Sequence, residues 1–232
     1  MRQITKKKVQ YWTYEEFQRF LSVIEENSYL GCLKRTGFYF LFFTGLRIGE
    51  MMARKWTDID WDNQSIYVDS TLYYRNKENW SASTKDGTKT ASSTGWVKLT
   101  PKIIEMLKEW REKQRDIFGD IPYIFMCDGT MYTPTRWNCW KTTLVKKWNK
   151  TAKENEVLEN IRVHDLRDSH GMWLLSQGID IKTIQKRLCH AKATTTMNYY
   201  LDRLPENEEK VLQGFKSRWL LFLLPRKGIE SF

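Results

Sequence analysis

Once past a basic first dozen residues, the chain places Phe17, Phe20, Leu21 and Ile24 at helical spacing, which predicts an amphipathic helix with one buried face. Thr13, followed three residues later by Glu16, has the form of a capping box that starts this helix. A second, more uniformly apolar helix is expected over about 33–43, and a third from about residue 44, carrying Leu46, Arg47, Glu50 and Met51. The period then changes. Residues 65–74 are rich in β-branched and aromatic side chains and read as a strand or hairpin arm, 81–95 as a polar loop, and 96–99 as a short returning strand. Pro101 suits the first turn of a helix whose inner face is Ile103, Ile104, Leu107 and Trp110. Residues 123–126 read as a short apolar strand, 128–129 as a turn, and the chain from Pro134 onward as nearly all helix, broken at Pro205. The expected class is α+β, mainly α, with a small antiparallel sheet.

Composition adds a partner. The 232 residues carry 38 Lys and Arg against 28 Asp and Glu, a net charge of +10. Such a surplus attracts phosphate backbones, because each neutralised phosphate releases counterions. Lys141, Lys146, Lys147, Lys150 and Lys153 follow one another with no acidic residue between them. They are either a solvated helix face or a track along DNA, and the total charge favours the track. The apolar run 219–224 is far shorter than the ~18 residues a membrane span needs, and the basic N-terminus has no signal-like apolar core. Four scattered cysteines without C-x-x-C spacing read as reduced thiols, so a cytoplasmic setting is expected.

Chemistry-bearing residues concentrate late. All three histidines, His164, His170 and His190, fall within 27 residues, beside Arg162, Arg167 and Arg187. His164 and Arg167, three apart, share a helix face, and a Tyr-Tyr pair follows at 199–200. Upstream, Arg47 lies where the first turn of a helix already favours an anion.

Three motifs carry a resemblance: Thr44-Gly45-Leu46-Arg47-Ile48-Gly49-Glu50, His164-Asp165-Leu166-Arg167, and Leu188-Cys189-His190 followed by Thr195-Thr196-Met197-Asn198-Tyr199-Tyr200. Together and in this order they resemble the catalytic domain of the tyrosine recombinases, the phage-integrase family, over roughly residues 13–215. The resemblance implies the helical fold of these DNA breaking-rejoining enzymes. It also implies site-specific cleavage and rejoining of DNA strands through a 3′-phosphotyrosyl intermediate, in integration or excision of a phage or mobile element. No cofactor, metal or ATP is implied, and the setting is a bacterial host's DNA.

By the same resemblance, Arg47 and Arg167 are the two active-site arginines, whose planar forks suit the non-bridging oxygens of one phosphodiester. His164 assists proton removal and His190 is a further donor to the phosphate. The segment Lys89-Thr90-Ala91-Ser92-Ser93 is similar to the family's pattern around its general-acid lysine, which points to Lys89, with Lys85 the alternative and otherwise a DNA contact beside Lys141, Lys146, Lys147 and Lys150. Tyr200 is the preferred nucleophile and Tyr199 the alternative. Adjacent helical residues point ~100° apart, so one of the two faces the site.

Two positions depart from the family pattern: Asp168 stands where a histidine often follows the arginine, and Cys189 replaces a glycine. The expected layout is a basic lead-in (1–12), the catalytic domain (13–215) and a tail (216–232) whose apolar run 219–224 must be buried, either on its own domain or docked on a neighbouring subunit. Only about twelve residues precede the first helix, where relatives carry a separate N-terminal domain, so a catalytic fragment or truncated product is expected. Double-stranded DNA, a homotetramer on it, and accessory directionality or DNA-bending proteins are the expected partners. The competing readings are a non-catalytic helix-turn-helix regulator built on 181–201, and a metal hydrolase using His164 and Asp168. A type IB topoisomerase shares the chemistry, but the motif spacing is closer to integrases.

Overall fold

The structure is a computed structural model that describes residues 10–76, 79–83, 94–127 and 130–188, all within one compact unit. Its elements are α1 (Tyr14–Ser22), α2 (Tyr29–Thr44), α3 (Ile48–Met52), β1 (Ile59–Asp60), β2 (Ser65–Val68), β3 (Thr71–Asn76), β4 (Asn79–Ser83), β5 (Gly95–Lys98), α4 (Pro101–Phe118), β6 (Met126–Cys127), β7 (Thr130–Met131), α5 (Pro134–Asn149), α6 (Asp165–Ser176) and α7 (Ile181–Leu188). The mainly helical α+β class is as expected. Among the described residues, no helix is long and apolar enough to cross a membrane.

Local chemistry explains the helix starts. The Thr13 hydroxyl accepts from the Glu16 amide while the Glu16 carboxylate accepts from the Thr13 amide, satisfying two N-terminal donors of α1. Ser28, Thr100 and Thr133 cap α2, α4 and α5 in the same sense, the last two ahead of a first-turn proline.

Helix α2 is apolar nearly all round and is accordingly the buried centre of the fold, packed by α4 and α6. Phe17 of α1 stacks on Phe42 with ring centroids 4.0 Å apart, and Trp137 of α5 meets Phe38 edge-on at 5.2 Å. Gly37 permits that approach: a Cβ there would lie 2.2 Å from the Trp137 ring.

The segment 65–74, expected as one strand or hairpin arm, is two strands in two sheets. Strand β2 pairs antiparallel with β1 and β5 (Ile59↔Ile66, Ile66↔Val97), whereas β3 pairs with β4 (Thr71↔Ser83). Residues 81–83, expected at the start of a loop, belong to β4. The break falls where the Arg54 guanidinium takes the Tyr67 and Ser70 carbonyls, the Asp69 carboxylate and the Ser70 hydroxyl. The apolar run 123–126 is not a strand of its own either. Among its carbonyls, Ile124 accepts from Trp110 Nε1 (2.6 Å) and Met126 from Gln114 Nε2 (2.6 Å); Tyr123 makes a lone antiparallel bridge with Lys55, and residues 126–127 pair with β7. The stretch after Pro134 is not continuous helix: residues 150–164 connect α5 to α6 with one short 3-10 turn, Glu154–Glu156.

Candidate active site

The α2–α3 turn is built around Gly45, which ends α2 in the left-handed conformation (φ 68°) that glycine adopts without penalty. Two residues on, Arg47 is the N-cap of α3 rather than part of its first turn. Its amide and its Nη1 both donate to the buried Glu50 carboxylate, each at 2.9 Å. This carboxylate fixes the root and the fork of Arg47 together, while 42 % of the Arg47 side chain stays open to solvent.

The second cluster starts α6. Asp165, buried, accepts from the Arg162 amide (2.8 Å) and from its guanidinium (2.7 Å), which shapes the entry to the helix. His164 is the N-cap, exposed, and Arg167 lies buried in the first turn. Arg167 Nη1 donates to the Gly45 carbonyl at 2.7 Å, bridging 122 positions of sequence and tying the α6 cluster to the Arg47 turn. Partial burial lowers the His164 pKa below its ordinary value, and the Arg167 and Arg47 charges lower it further against a smaller opposing effect of Asp165. An imidazole so placed is neutral near pH 7 and can accept a proton. Burial, with help from Asp165, pushes the Asp168 carboxyl up to about 6. Among the described residues, no three His, Cys, Asp or Glu side chains group as metal ligands.

Arg47, His164 and Arg167 are therefore brought together from two ends of the sequence. The α5 lysines do not form one exposed row. Lys141 is only 2 % exposed; its ammonium donates to Asn160 Oδ1, and desolvation lowers its pKa to about 8. The expectation of Lys141 as a surface DNA contact is corrected accordingly. Its neighbours at helical spacing, Trp137 and Val145, are the buried row of α5. Lys146, Lys147 and Lys150 are exposed, Lys147 paired with Glu25. Lys85, Lys89, Cys189, His190, Tyr199, Tyr200 and the tail 216–232 lie outside the described residues.

Sequence reasoning assigned no role to Glu50, Arg54, His170 or Arg187. Arg54 is fully buried and saturated: besides the 67–70 acceptors it donates to the Glu50 carbonyl (3.0 Å) and pairs with Asp58 (3.3 Å). For Glu50 the signal was present in the motif itself, three residues after Arg47 and so on the same helix face; Arg54, four residues further on, lies beyond both the motif and α3.

Residues 10–206 match the phage integrase family. The chain is 32 % identical over 215 residues to the ICEBs1 integrase of Bacillus subtilis, covering 90 % of this chain and 54 % of that protein. It is 26 % identical over 184 residues to a XerC-like tyrosine recombinase of Caldanaerobacter subterraneus, covering 76 % and 47 %. Its fold matches the Tn1549 transposon integrase, solved in complex with transposon right end DNA, with a TM-score of 0.74 at 21 % identity over 91 % of this chain and 69 % of that one. The chain spans about half the length of these curated relatives. With the fold, the motif order and the matched span in agreement, this chain belongs to the phage integrase family of tyrosine recombinases.

Proposed function

We propose that the chain is the catalytic part of a site-specific recombinase that cuts and rejoins double-stranded DNA during integration and excision of a mobile element. The observation that carries this reading is the Arg167–Gly45 hydrogen bond, which brings two cationic forks and a neutral histidine to one place. The family's integrases and the DNA complex of the matched Tn1549 integrase support it.

In the proposed reaction the phenolic oxygen of Tyr200 attacks a DNA phosphorus. A tyrosyl O–P bond forms, the bond from phosphorus to the 5′ oxygen breaks, and the phenol proton (ordinary pKa ~10) passes to His164. Lys89 gives a proton to the departing 5′ oxygen. Arg47 and Arg167 take the non-bridging oxygens, where charge builds in the five-coordinate state, and His190 donates to the same group. The phosphotyrosyl ester retains the energy of the broken bond. A 5′ hydroxyl from either strand can therefore reverse the step and rejoin the DNA. Homotetrameric assembly with the C-terminal tail reaching a neighbouring subunit, and assistance from DNA-bending or directionality proteins, belong to the same reading.

Trapping the chain on a nicked attachment-site duplex and sequencing the adduct by mass spectrometry tests it. The expected result is one modified peptide with the phosphate on Tyr200. Tyr200→Phe should form no adduct while keeping DNA affinity. An adduct on Tyr199, lost in Tyr199→Phe and retained in Tyr200→Phe, would move the nucleophile by one residue. No adduct on any duplex bearing a genuine attachment site would overturn the reading.

A further inference from the structure

Gly45 is the meeting point of more than Arg167. A Cβ on it would lie 2.6 Å from His170 Cδ2 and 2.6 Å from Leu188 Cδ2, so α6 and the last turn of α7 both press on this turn. One residue before Leu188, Arg187 reaches back across it. Its Nε donates to His170 Nε2 at 3.0 Å, and its Nη2 donates to the Phe43 carbonyl (3.1 Å) and to the Lys98 carbonyl (3.2 Å). One guanidinium thus joins the end of α2, the end of β5 and the middle of α6.

Arginine has only donors, so His170 Nε2 must present a lone pair and the ring must be neutral with its hydrogen on Nδ1. The environment enforces that state: His170 is fully buried, and burial together with the Arg187 charge holds its pKa down at about 3. Helix α7 already buries Ile184 and Leu188, so packing against α6 is secured without an arginine. The polar clamp adds orientation, because a planar fork with three acceptors fixes angles that apolar contact leaves loose.

We propose that Arg187, held by neutral His170, is a positioning residue that sets the α2–α3 turn carrying Arg47 and receiving Arg167. The same clamp fixes the end of α7 two residues before His190. This inference rests on the recombinase reading above, and its consequence is kinetic: the arginine forks meet the phosphate at the right angle only when the turn is held.

The test is single-turnover adduct formation on a nicked duplex at saturating DNA, reading rate constant and amplitude separately, with DNA affinity and thermal melting measured on the same proteins. His170→Phe keeps a ring but removes the acceptor, and Arg187→Lys keeps the charge but removes the fork. Both are expected to lose ~10²-fold in rate constant at full amplitude and with DNA affinity close to wild type. His170→Gln, whose Oε1 can reach the position of Nε2 and accept from Arg187, is expected to recover most of that loss. Unchanged rate constants, or reduced amplitude with the rate constant intact, would mean the pair merely supports folding and would overturn the inference. So would a His170→Gln as slow as His170→Phe. A wild-type chain that forms no adduct would overturn the recombinase reading and this inference with it, whereas active wild type with equally active variants overturns the inference alone.

Discussion

Two arginines flank the short helix α3, and they are used in opposite ways. Arg54 is fully buried, and its donors go to main-chain carbonyls, the Ser70 hydroxyl and the carboxylates of Asp58 and Asp69. Arg47 donates to the Glu50 carboxylate from its amide and from Nη1, and keeps 42 % of its side chain in solvent. Glu50 serves both, its carboxylate holding Arg47 and its carbonyl receiving Arg54. One cation is a structural rivet, and the other is preorganised yet open. The same division recurs on α6, where His170 is buried and His164 exposed, and on α5, where Lys141 is buried and Lys146 exposed. In each pair the inward group makes tertiary contacts while the outward one stays open to solvent.

The sharpest way to break this comparison is at its inward end. Arg54→Ala leaves the Asp58 and Asp69 carboxylates and three carbonyls without their donor, and is expected to cost about 3–5 kcal/mol of stability, read from the midpoint of chemical unfolding. Arg47→Ala should instead unfold near wild type while losing ~10²–10³ in the cleavage rate constant. DNA affinity should change much less than rate, because the fork matters where charge builds. If Arg47→Ala unfolded as early as Arg54→Ala, or lost affinity and rate equally, the division between rivet and open fork would fail.

How the sequence expresses this division explains what was legible in it. Contiguous signals read well. The Thr13–Glu16 box, the prolines at 101 and 134, and the motifs around Arg47 and His164–Arg167 each sit within a few residues, so spacing alone carries them. The 65–74 segment looked like one strand or hairpin arm because its side chains favour β structure throughout. It turns at 69–70 because a guanidinium from residue 54 takes its carbonyls, a tertiary contact that no local pattern encodes. The run 123–126 is apolar as a strand would be, but Trp110 and Gln114 occupy its carbonyls. The lysine run misled differently: charge counting treats its members alike, whereas Trp137, Lys141 and Val145 at four-residue steps mark which one points inward.

The histidine pair gives a smaller effect, with a definite sign. His170 takes up a proton near pH 6.5 when unfolded but only near 3 when folded, so its contribution is present above pH 6.5 and is lost as pH falls. The slope is at most about 1.4 kcal/mol per pH unit for one group. Subtracting unfolding free energies of His170→Gln from wild type between pH 4 and 7 should expose that slope. The same subtraction with His164→Gln should give a shallower one, since His164 is exposed and its pKa is lowered less. Equal slopes would erase the contrast between the inward and outward histidine.

The smallest effect, and the cleanest on charge alone, comes from α5. Lys146 is exposed and free to meet a phosphate, so Lys146→Met should reduce the slope of log affinity against log salt by ~0.9 if it neutralises one phosphate of duplex DNA. Lys141→Met should leave that slope unchanged, because a 2 % exposed ammonium bonded to Asn160 releases no counterion from DNA. It should also leave stability within about 1 kcal/mol, since trading a buried cation for an apolar group of similar length recovers its desolvation and the Thr142 hydroxyl still donates to Asn160 at 3.2 Å. A salt slope that falls equally in both variants would place Lys141 against the DNA after all, and would mean that α5 opens its buried row when the duplex binds.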